Sequence, residues 1–201
     1  MVYIIIGITT LISILAFYRH SIVDKLKFNA WYILHEKEWY RFLSYALVHA
    51  DWVHLFVNMF VLYSFGDIVN QFYSHYFGNK SILYFLMLYL GGTGFSTLYD
   101  FGKYKNNIYY NAVGASGAVA AVVFSSIILY PEGKVFLFFI PIGIPAPVFG
   151  ILYLVYSAYM ARKGSDNIGH SAHFWGSVFG VIYTIAINPE FLKIFITKIF
   201  G

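Results

Sequence analysis

Residues 113–130 read VGASGAVAAVVFSSIILY, an apolar run that approaches the length of one membrane-spanning helix and is followed by Pro131. The first half of this run consists almost entirely of very small side chains, with Ser116 among them. Small side chains allow a second helix to approach closely. The stretch therefore predicts a transmembrane helix that carries a serine hydroxyl on a tightly packed surface.

The composition of the whole chain favours a membrane protein. Of its 201 residues, 60% are hydrophobic and 11% are charged, and the mean hydropathy is +0.67. Soluble domains contain about 25% charged residues, and a soluble domain this apolar would expose large hydrophobic patches. The absence of cysteine excludes disulfides, thiol catalysis and cysteine-ligated zinc. The net charge of +4 is not clustered, so nothing indicates nucleic-acid binding.

Six apolar segments predict an all-α polytopic membrane protein, a six-transmembrane-helix bundle that forms a single domain over residues 1–201. The expected helices cover approximately residues 2–18, 51–72, 81–99, 113–130, 147–160 and 170–187. The first segment lacks a basic n-region and a small-residue cleavage site, so we interpret it as a helix and not as a signal peptide.

Two connecting segments do not fit a membrane helix. Residues 19–48 mix polar and aromatic side chains, and we expect short amphipathic pieces at the membrane interface. Residues 135–147 are apolar but contain Pro141, Pro145 and Pro147, which break a helix. The second segment is therefore predicted to be a re-entrant or surface-lying loop.

Polar side chains within the apolar segments collect at the starts of helices two, four and six. They are His49, His54, Asn58, Ser116, His170 and His173. Because one hairpin separates each of these helices from the next, all three enter the membrane from the same side. Polar groups at membrane depth are costly, so this shared position indicates a functional site.

The spacing within each helix supports one site. His54 and Asn58 are four residues apart, on one face of helix two. On helix six, His173 shares a face with Gly176 and Gly180, a small-x-x-x-small pattern that permits close packing. Ser116 and His173 can therefore approach to hydrogen-bond distance, as a nucleophile and its base require.

A helix that begins at Gly114 to Ser116 presents unpaired backbone N–H groups beside the serine oxygen. Together with the Asn58 amide and the His54 imidazole, these donors can hold the oxyanion of a tetrahedral intermediate. In such a site Ser116 attacks a peptide carbonyl, and His173 takes its proton and passes it to the leaving amine. Water then hydrolyses the acyl-enzyme.

These motifs resemble those of the rhomboid intramembrane proteases. Gly114-Ala115-Ser116-Gly117 matches G-x-S-G, His49-x4-His54-x3-Asn58 matches H-x4-H-x3-N of the second helix, and Ala172-His173-x2-Gly176-x3-Gly180 matches A-H-x2-G-x3-G of the sixth. Trp39 and Arg41 resemble the W-R signature of the first loop, although Tyr40 separates them. The resemblance covers roughly residues 39–180.

The resemblance implies a Ser116–His173 dyad in a water-filled cavity, with an oxyanion hole made by His54, Asn58 and the Ser116 N–H. His49, Gly117, Gly176 and Gly180 are expected to be structural residues near the site. It also implies no metal or nucleotide cofactor, and single-pass transmembrane proteins within a lipid bilayer as partners. We expect a multi-pass protein of the bacterial inner (plasma) membrane with its active site facing outward.

Several assignments stay open. Ala120 stands where many relatives carry an aromatic residue that stacks on the base, and Phe174 or Trp175 is a candidate replacement. His170 lies one turn before His173 and competes as base, while Asn58 has the alternative role of bonding helices together. Four aspartates are possible third triad members, but no motif places them: Asp51, Asp67, Asp100 and Asp166.

Rival functions also follow from the sequence. A rhomboid-fold protein that binds membrane clients without cutting them is the main alternative. A metal-dependent membrane hydrolase would use His49, His54, His170 and His173 but lacks an H-E-x-x-H motif, and a transporter lacks paired half-helices. The positive-inside rule conflicts with an outward-facing site. Nine of the 13 Lys and Arg residues lie on the membrane side that carries loops one, three and five, which is also the side of the candidate site. The other side carries four: Lys80, Lys134, Lys193 and Lys198.

Overall fold

The computed structural model describes residues 1–137, 142–164 and 168–201, which form eleven α-helices and one two-stranded sheet. The helices are α1 (Val2–Tyr18), α2 (His20–Leu26), α3 (Ala30–His35), α4 (Arg41–Ser44), α5 (Trp52–Phe77), α6 (Ser81–Ser96), α7 (Leu98–Tyr104), α8 (Ser116–Leu129), α9 (Ala146–Lys163), α10 (His170–Ile187) and α11 (Glu190–Phe200). Short 3-10 turns cover Tyr45–Leu47 and Gly78–Lys80. Strands β1 (Lys134–Phe136) and β2 (Gly143–Pro145) pair antiparallel, with Val135 opposite Ile144.

Helix α8 forms the centre of the bundle. Every residue after Ser116 up to Leu129 is buried, and α5, α6, α10 and α11 pack around the helix. The contact with α10 is close enough for backbones to touch. A Cβ on Gly176 would overlap the carbonyl oxygen of Gly117, and a Cβ on Gly180 would overlap that of Ala121. The small residues in the first half of the stretch 113–130 therefore explain why α8 occupies the most enclosed position.

A buried hydroxyl cluster joins three helices at the opposite end of α8 from Ser116. Ser125 Oγ accepts a hydrogen bond from Thr184 Oγ1 of α10 at 2.7 Å, and it lies 3.2 Å from the Tyr73 hydroxyl of α5. Thr184 Oγ1 also lies 2.7 Å from the Gly180 carbonyl oxygen, within α10. The cluster satisfies polar groups that would otherwise be costly to bury.

The segment between α1 and α5 folds back against the chain that precedes α8. The buried Arg41 guanidinium donates to the carbonyl oxygens of Asp24 and Lys27 at 2.9 and 2.8 Å, and so fixes the loop internally. Phe28 and Ala112 form an isolated antiparallel bridge, with backbone N–H···O distances of 2.9 and 3.1 Å. This loop therefore sets the approach of the backbone to Ser116.

The observed elements differ from the expected ones at several boundaries. Helix α8 begins at Ser116 and not at residue 113, because Gly114 has a positive φ of 108° that no regular helix accommodates. The third predicted helix is divided at Thr97 into α6 and α7. The expected loop over residues 135–147 contains the β1–β2 hairpin, which an all-α fold class omits, and Pro141 lies outside the described residues.

Helix α11 is absent from the sequence interpretation. Helix α10 ends at Ile187, where the sixth predicted helix ends, but Pro189 then forms the N-cap of a further helix, with helical backbone angles of φ −59° and ψ −21°. The two helices meet at an angle of 110°. Phe191 of α11 is buried against the bundle, so the helix folds back onto the core.

Among the described residues, one stretch, Trp52–Tyr104, which includes α5, α6 and α7, counts as long and apolar enough to cross a membrane. The bent pair formed by α10 and α11 counts as a second if it is taken as one broken span. Helices α1 and α8 are apolar but shorter. Length and composition in the structure therefore identify one or two spans, and six are not established by this criterion.

Candidate functional site

An open cavity of about 1560 Å³ lies among α5, α8, α9 and α10. Its lining includes five of the residues that the sequence placed in a site: His54, Asn58, Gly114, Ser116 and His173. The other four, His49, Gly117, Gly176 and Gly180, are not among the lining residues. Side chains far apart in the sequence are thus brought to one concave surface.

The turn before Ser116 is held by two hydrogen bonds that its backbone N–H groups donate, one to a backbone carbonyl and one to a side chain. The N–H of Gly114 donates to the Tyr45 carbonyl oxygen at 3.0 Å, and the N–H of Ala115 donates to His49 Nε2 at 3.3 Å. Ser116 is the first residue of α8 and half-buried. Its own N–H takes part in no hydrogen bond with the rest of the described chain, as expected in the first turn of a helix.

The His54 imidazole lies directly against Gly114. A Cβ on Gly114 would fall 2.5 Å from His54 Cε1 and 2.7 Å from Nε2, so any other residue would displace the ring. Asp51 caps α5 by accepting the His54 backbone N–H at 2.7 Å. Asn58 Nδ2 donates to the His54 carbonyl oxygen at 2.9 Å, which commits one of its two amide hydrogens.

His173 lies in the first turn of α10, three residues before the glycine that touches α8. No hydrogen bond within residues 1–137, 142–164 and 168–201 joins Ser116 Oγ to His173. Catalytic hydrogen bonds without substrate are often long and shorten only in the substrate complex. The contact between Gly117 and Gly176 brings the two helices together immediately beside both side chains.

Tyr153 of α9 packs on the His173 imidazole. The ring centroids are 6.2 Å apart and the planes are inclined by 28°, which is a stacked arrangement. Tyr153 was not identified from the sequence, because nothing in an apolar helix marks one tyrosine among several. Its ring packs on His173, the contact that the resemblance led us to expect from an aromatic residue at the position of Ala120.

The sequence suggested Phe174 or Trp175 as the aromatic residue that stacks on the base. Trp175 packs instead against Phe95 of α6 and Tyr99 of α7, at centroid distances of 6.2 and 6.3 Å. Phe174 lies next to Trp175, edge to face at 5.3 Å. The His170 ring contacts the His173 ring edge to face, at a centroid distance of 5.8 Å, and His170 also lines the cavity. The geometry therefore leaves His170 as an alternative to His173 for the base.

Replacing Tyr153 tests its contact with His173. Under the serine-protease hypothesis drawn from the sequence, Tyr153→Ala is expected to lower kcat for substrate cleavage about tenfold, because an aromatic pair contributes up to about 1.5 kcal/mol to orientation. Tyr153→Phe retains the ring and is the matched control, with a kcat within about twofold of wild type. Equal losses in both variants would assign the effect to the hydroxyl and contradict the stacking role.

The candidate acidic residues within the described ranges have hydrogen-bond partners other than Ser116 and His173. Asp51 caps α5, Asp67 accepts from Gln71 Nε2 at 2.8 Å, and Asp100 accepts the Tyr110 hydroxyl at 2.8 Å. Asp166 lies outside the described residues. Across the described ranges, no group of three or more His, Asp or Glu side chains converges to hold a metal ion.

His49 is 1% exposed and lies before α5, where it connects α1 to the turn that precedes Ser116. Its Nδ1 is 2.9 Å from Ser13 Oγ, and its ring contacts the His54 ring edge to face at 5.0 Å. Burial, reinforced by any charge on His54, lowers the pKa of His49 to about 3. The imidazole is therefore neutral in the folded protein.

The lowered pKa of His49 predicts acid destabilisation. As pH falls below about 6.5, the unfolded chain takes up a proton that the folded site excludes. The free energy of unfolding should therefore fall by up to about 1.4 kcal/mol per pH unit from this group, towards pH 3. Thermal unfolding in detergent between pH 7.5 and 4 measures the slope. His49→Gln should flatten that slope, and an unchanged slope would contradict the assignment.

Comparisons with known proteins agree with the motifs. A family model described as "Rhomboid domain" matches residues 36–190. The chain is 30% identical over 153 residues to "RHOMBOID-like protein 12, mitochondrial" of Arabidopsis thaliana, which covers 70% of this chain and 44% of that protein. It is 28% identical over 144 residues to "Rhomboid protein 1, mitochondrial" of Saccharomyces cerevisiae, covering 69% of this chain and 39% of that protein.

A human relative shows the same pattern. "Presenilin-associated rhomboid-like protein, mitochondrial" of Homo sapiens is 28% identical over 146 residues, covering 67% of this chain and 34% of that protein. The match thus spans less than half the length of these relatives. The mitochondrial location given in their names contradicts the expected bacterial inner (plasma) membrane, and that prediction was wrong. Composition identifies lipid as the solvent, but it does not distinguish one membrane from another.

Proposed function

The chain belongs to the rhomboid family, and we propose that it is an intramembrane serine endopeptidase that cleaves transmembrane segments through Ser116 and His173. The observation that carries the proposal is the shared cavity lined by Ser116, His173, His54 and Asn58. These are the residue types that acyl transfer requires: a nucleophile, a base and donors for an oxyanion.

In the proposed reaction, Ser116 Oγ attacks the scissile carbonyl carbon while His173 accepts the hydroxyl proton. The carbonyl oxygen becomes an oxyanion, which receives hydrogen bonds from the Ser116 N–H, the second Asn58 amide hydrogen and the His54 imidazole. His173 then protonates the leaving amine, and the C–N bond breaks to give an acyl-enzyme. A water molecule, activated by His173, hydrolyses the ester and restores Ser116.

Two features support the oxyanion assignment. Within the described part of the chain the Ser116 N–H has no hydrogen-bond acceptor, whereas the preceding two N–H groups are bonded to Tyr45 and His49, so the turn presents this donor in a fixed direction. The tight contact between Gly114 and His54 places the imidazole beside the same turn. Prearranged donors of this kind act without reorganisation when charge develops.

We further propose that residues 1–201 form one six-span membrane domain. The support is the family membership, the apolar composition and the central position of α8, a helix whose neighbours bury it although it is short for a span. Large exposed apolar side chains on α1, α5 and α9 fit contact with lipid. Relatives with mitochondrial names favour a mitochondrial membrane.

Single-pass transmembrane proteins are the proposed substrates, with the lipid bilayer as the medium and no metal or nucleotide required. Between α5 and α9 the cavity wall is mostly apolar and includes Val57, Phe60, Val61 and Phe149. An apolar wall suits a transmembrane segment more than a soluble peptide. A non-proteolytic protein that binds membrane clients is the alternative, and it would use the same cavity without chemistry.

Proteolysis is tested by reconstituting the protein with a single-pass substrate in liposomes. Cleavage by wild type that is lost in the Ser116→Ala variant and insensitive to EDTA is the expected result. Substrate that co-purifies with the protein but stays intact would support the binding alternative. Activity that EDTA abolishes and Ser116→Ala retains would replace the serine mechanism with metal-dependent hydrolysis.

A further inference from the structure

A chain of hydrogen bonds runs from α1 to the turn before Ser116. Ser13 Oγ donates to the Leu47 carbonyl oxygen at 2.9 Å and lies 2.9 Å from His49 Nδ1. On the other side of the imidazole, the Ala115 N–H donates to Nε2 at 3.3 Å. Ser13 is 0% exposed and His49 is 1% exposed, so water does not compete for these groups.

The chain fixes the tautomer of His49 from both ends. A peptide N–H can only donate, so Nε2 must be the unprotonated nitrogen that accepts from Ala115. The single hydroxyl hydrogen of Ser13 is directed at Leu47, so its oxygen must accept from Nδ1–H. Both constraints require the neutral imidazole with its proton on Nδ1.

We propose that Ser13 is a positioning residue for the catalytic turn: by holding His49 in the Nδ1–H tautomer, it fixes the Ala115 peptide and the direction of the adjoining Ser116 N–H. The expected effect of Ser13 on the cleavage rate rests on the proposed proteolytic function. The hydrogen-bond chain is independent of that function. Ser13 touches no reacting group and acts through His49.

Loss of the Ser13 hydroxyl leaves a buried Nδ1–H without an acceptor, which is costly. The imidazole relieves that cost by moving its proton to Nε2, beside the turn whose residues Gly114 and Ser116 line the cavity. Two N–H groups would then face each other across the His49–Ala115 contact, and the turn would shift. Displacements of this kind reduce kcat and leave substrate binding largely unchanged.

The tautomer is measured by nitrogen-15 NMR of the histidine side chains in detergent, with the His49 signals assigned by their loss in His49→Gln. Wild type is expected to show the neutral Nδ1–H form, and Ser13→Ala is expected to shift His49 towards the Nε2–H form. Ser13→Cys keeps the side-chain volume but weakens the acceptor, so it should shift the same signals partially if Ser13→Ala does not fold.

Thr9→Val is the matched control, because Thr9 lies one turn earlier on α1 and is also 0% exposed. It should leave the His49 signals and the rate of cleavage as in wild type. Ser13→Ala should lower kcat about tenfold at unchanged KM, in the range known for residues that orient catalytic groups. Ser13→Thr, which keeps the hydroxyl, should restore most of that loss.

The two levels of the proposal fail in different ways. Unchanged His49 signals in Ser13→Ala and Ser13→Cys would overturn the positioning role. The positioning role would also be overturned if the His49 signals shift but Ser13→Ala and Thr9→Val lose kcat equally. The loss of kcat would then be explained by disturbed packing of α1. A wild-type protein with the expected tautomer but no cleavage would instead overturn the proteolytic function.

Discussion

Ser116→Ala is expected to reduce cleavage of a reconstituted transmembrane substrate on the order of 10⁴-fold or more, as loss of a serine nucleophile does in other hydrolases. His173→Ala should produce a similar loss, since the hydroxyl is a weak nucleophile without its base. The double variant should be no worse than either single variant, because the two residues act as one unit. Initial rates in liposomes give all three values.

A second serine on the same helix provides the control for that result. Ser126 lies on α8 and donates to the Val123 carbonyl oxygen of its own helix at 2.7 Å. Ser126→Ala should therefore retain most activity. Loss of cleavage in His170→Ala but not in His173→Ala would move the base to His170, which lies 5.8 Å from His173 between ring centroids. Comparable activity of Ser116→Ala and wild type would contradict the nucleophile assignment.

Gly176→Ala is expected to separate α8 from α10 and to disable the protein. The added Cβ would overlap the Gly117 carbonyl oxygen, a backbone atom that no rotamer change can move. Overpacking costs about 1–3 kcal/mol in ordinary cores, and we expect the upper end of that range here. Because His173 and Ser116 flank the contact, activity should fall about 100-fold even in the folded fraction.

Gly94→Ala is the matched control for this substitution. Gly94 is also a helical glycine, in α6, but nothing lies within 4 Å of a Cβ placed on it. Alanine favours a helix over glycine by about 1 kcal/mol, so this variant should be as stable as wild type or more so. Thermal unfolding in detergent and the cleavage assay compare the two variants. Equal stability of Gly176→Ala and Gly94→Ala would contradict the close packing of α8 and α10.

Much of the candidate site could be predicted from the sequence, because the order of the helices and the spacing of polar residues within each helix point to the same surface. Polar residues at the starts of helices two, four and six must lie near one face, whatever the details of packing. The cavity that contains His54, Asn58, Ser116 and His173 has this arrangement. The glycine spacing on helix six likewise predicts that another helix packs closely against it. Gly176 and Gly180 lie directly against the backbone of α8.

The positioning residues could not be predicted, since they depend on how separate helices pack. Tyr153 meets His173 only through the orientation of α9, and α9 carries several tyrosines of equal prominence. Ser13 is one of three serine and threonine residues in α1, with Thr9 and Thr10, so nothing in the sequence singles it out. Its partner His49 is 36 positions away in the sequence, and no local pattern connects them.

Backbone details were also beyond the sequence pattern. The start of α8 depends on the positive φ of Gly114, which is set by the contact with His54 and the hydrogen bond to Tyr45. Strand β1 has three residues, too few for an alternating pattern to stand out. Helix α11 follows Pro189, and a proline fits both the end of one helix and the residue before the next, so it did not indicate a second helix.

The nucleophilic character of Ser116 is tested most directly by covalent labelling. The wild-type protein is incubated in lipid with a fluorophosphonate, and the modified peptide is identified by mass spectrometry. A phosphonate adduct is expected on Ser116, and it should be lost in Ser116→Ala and strongly reduced in His173→Ala. A lipid-reconstituted, folded protein that stays unlabelled at Ser116, or labels equally without His173, would contradict it.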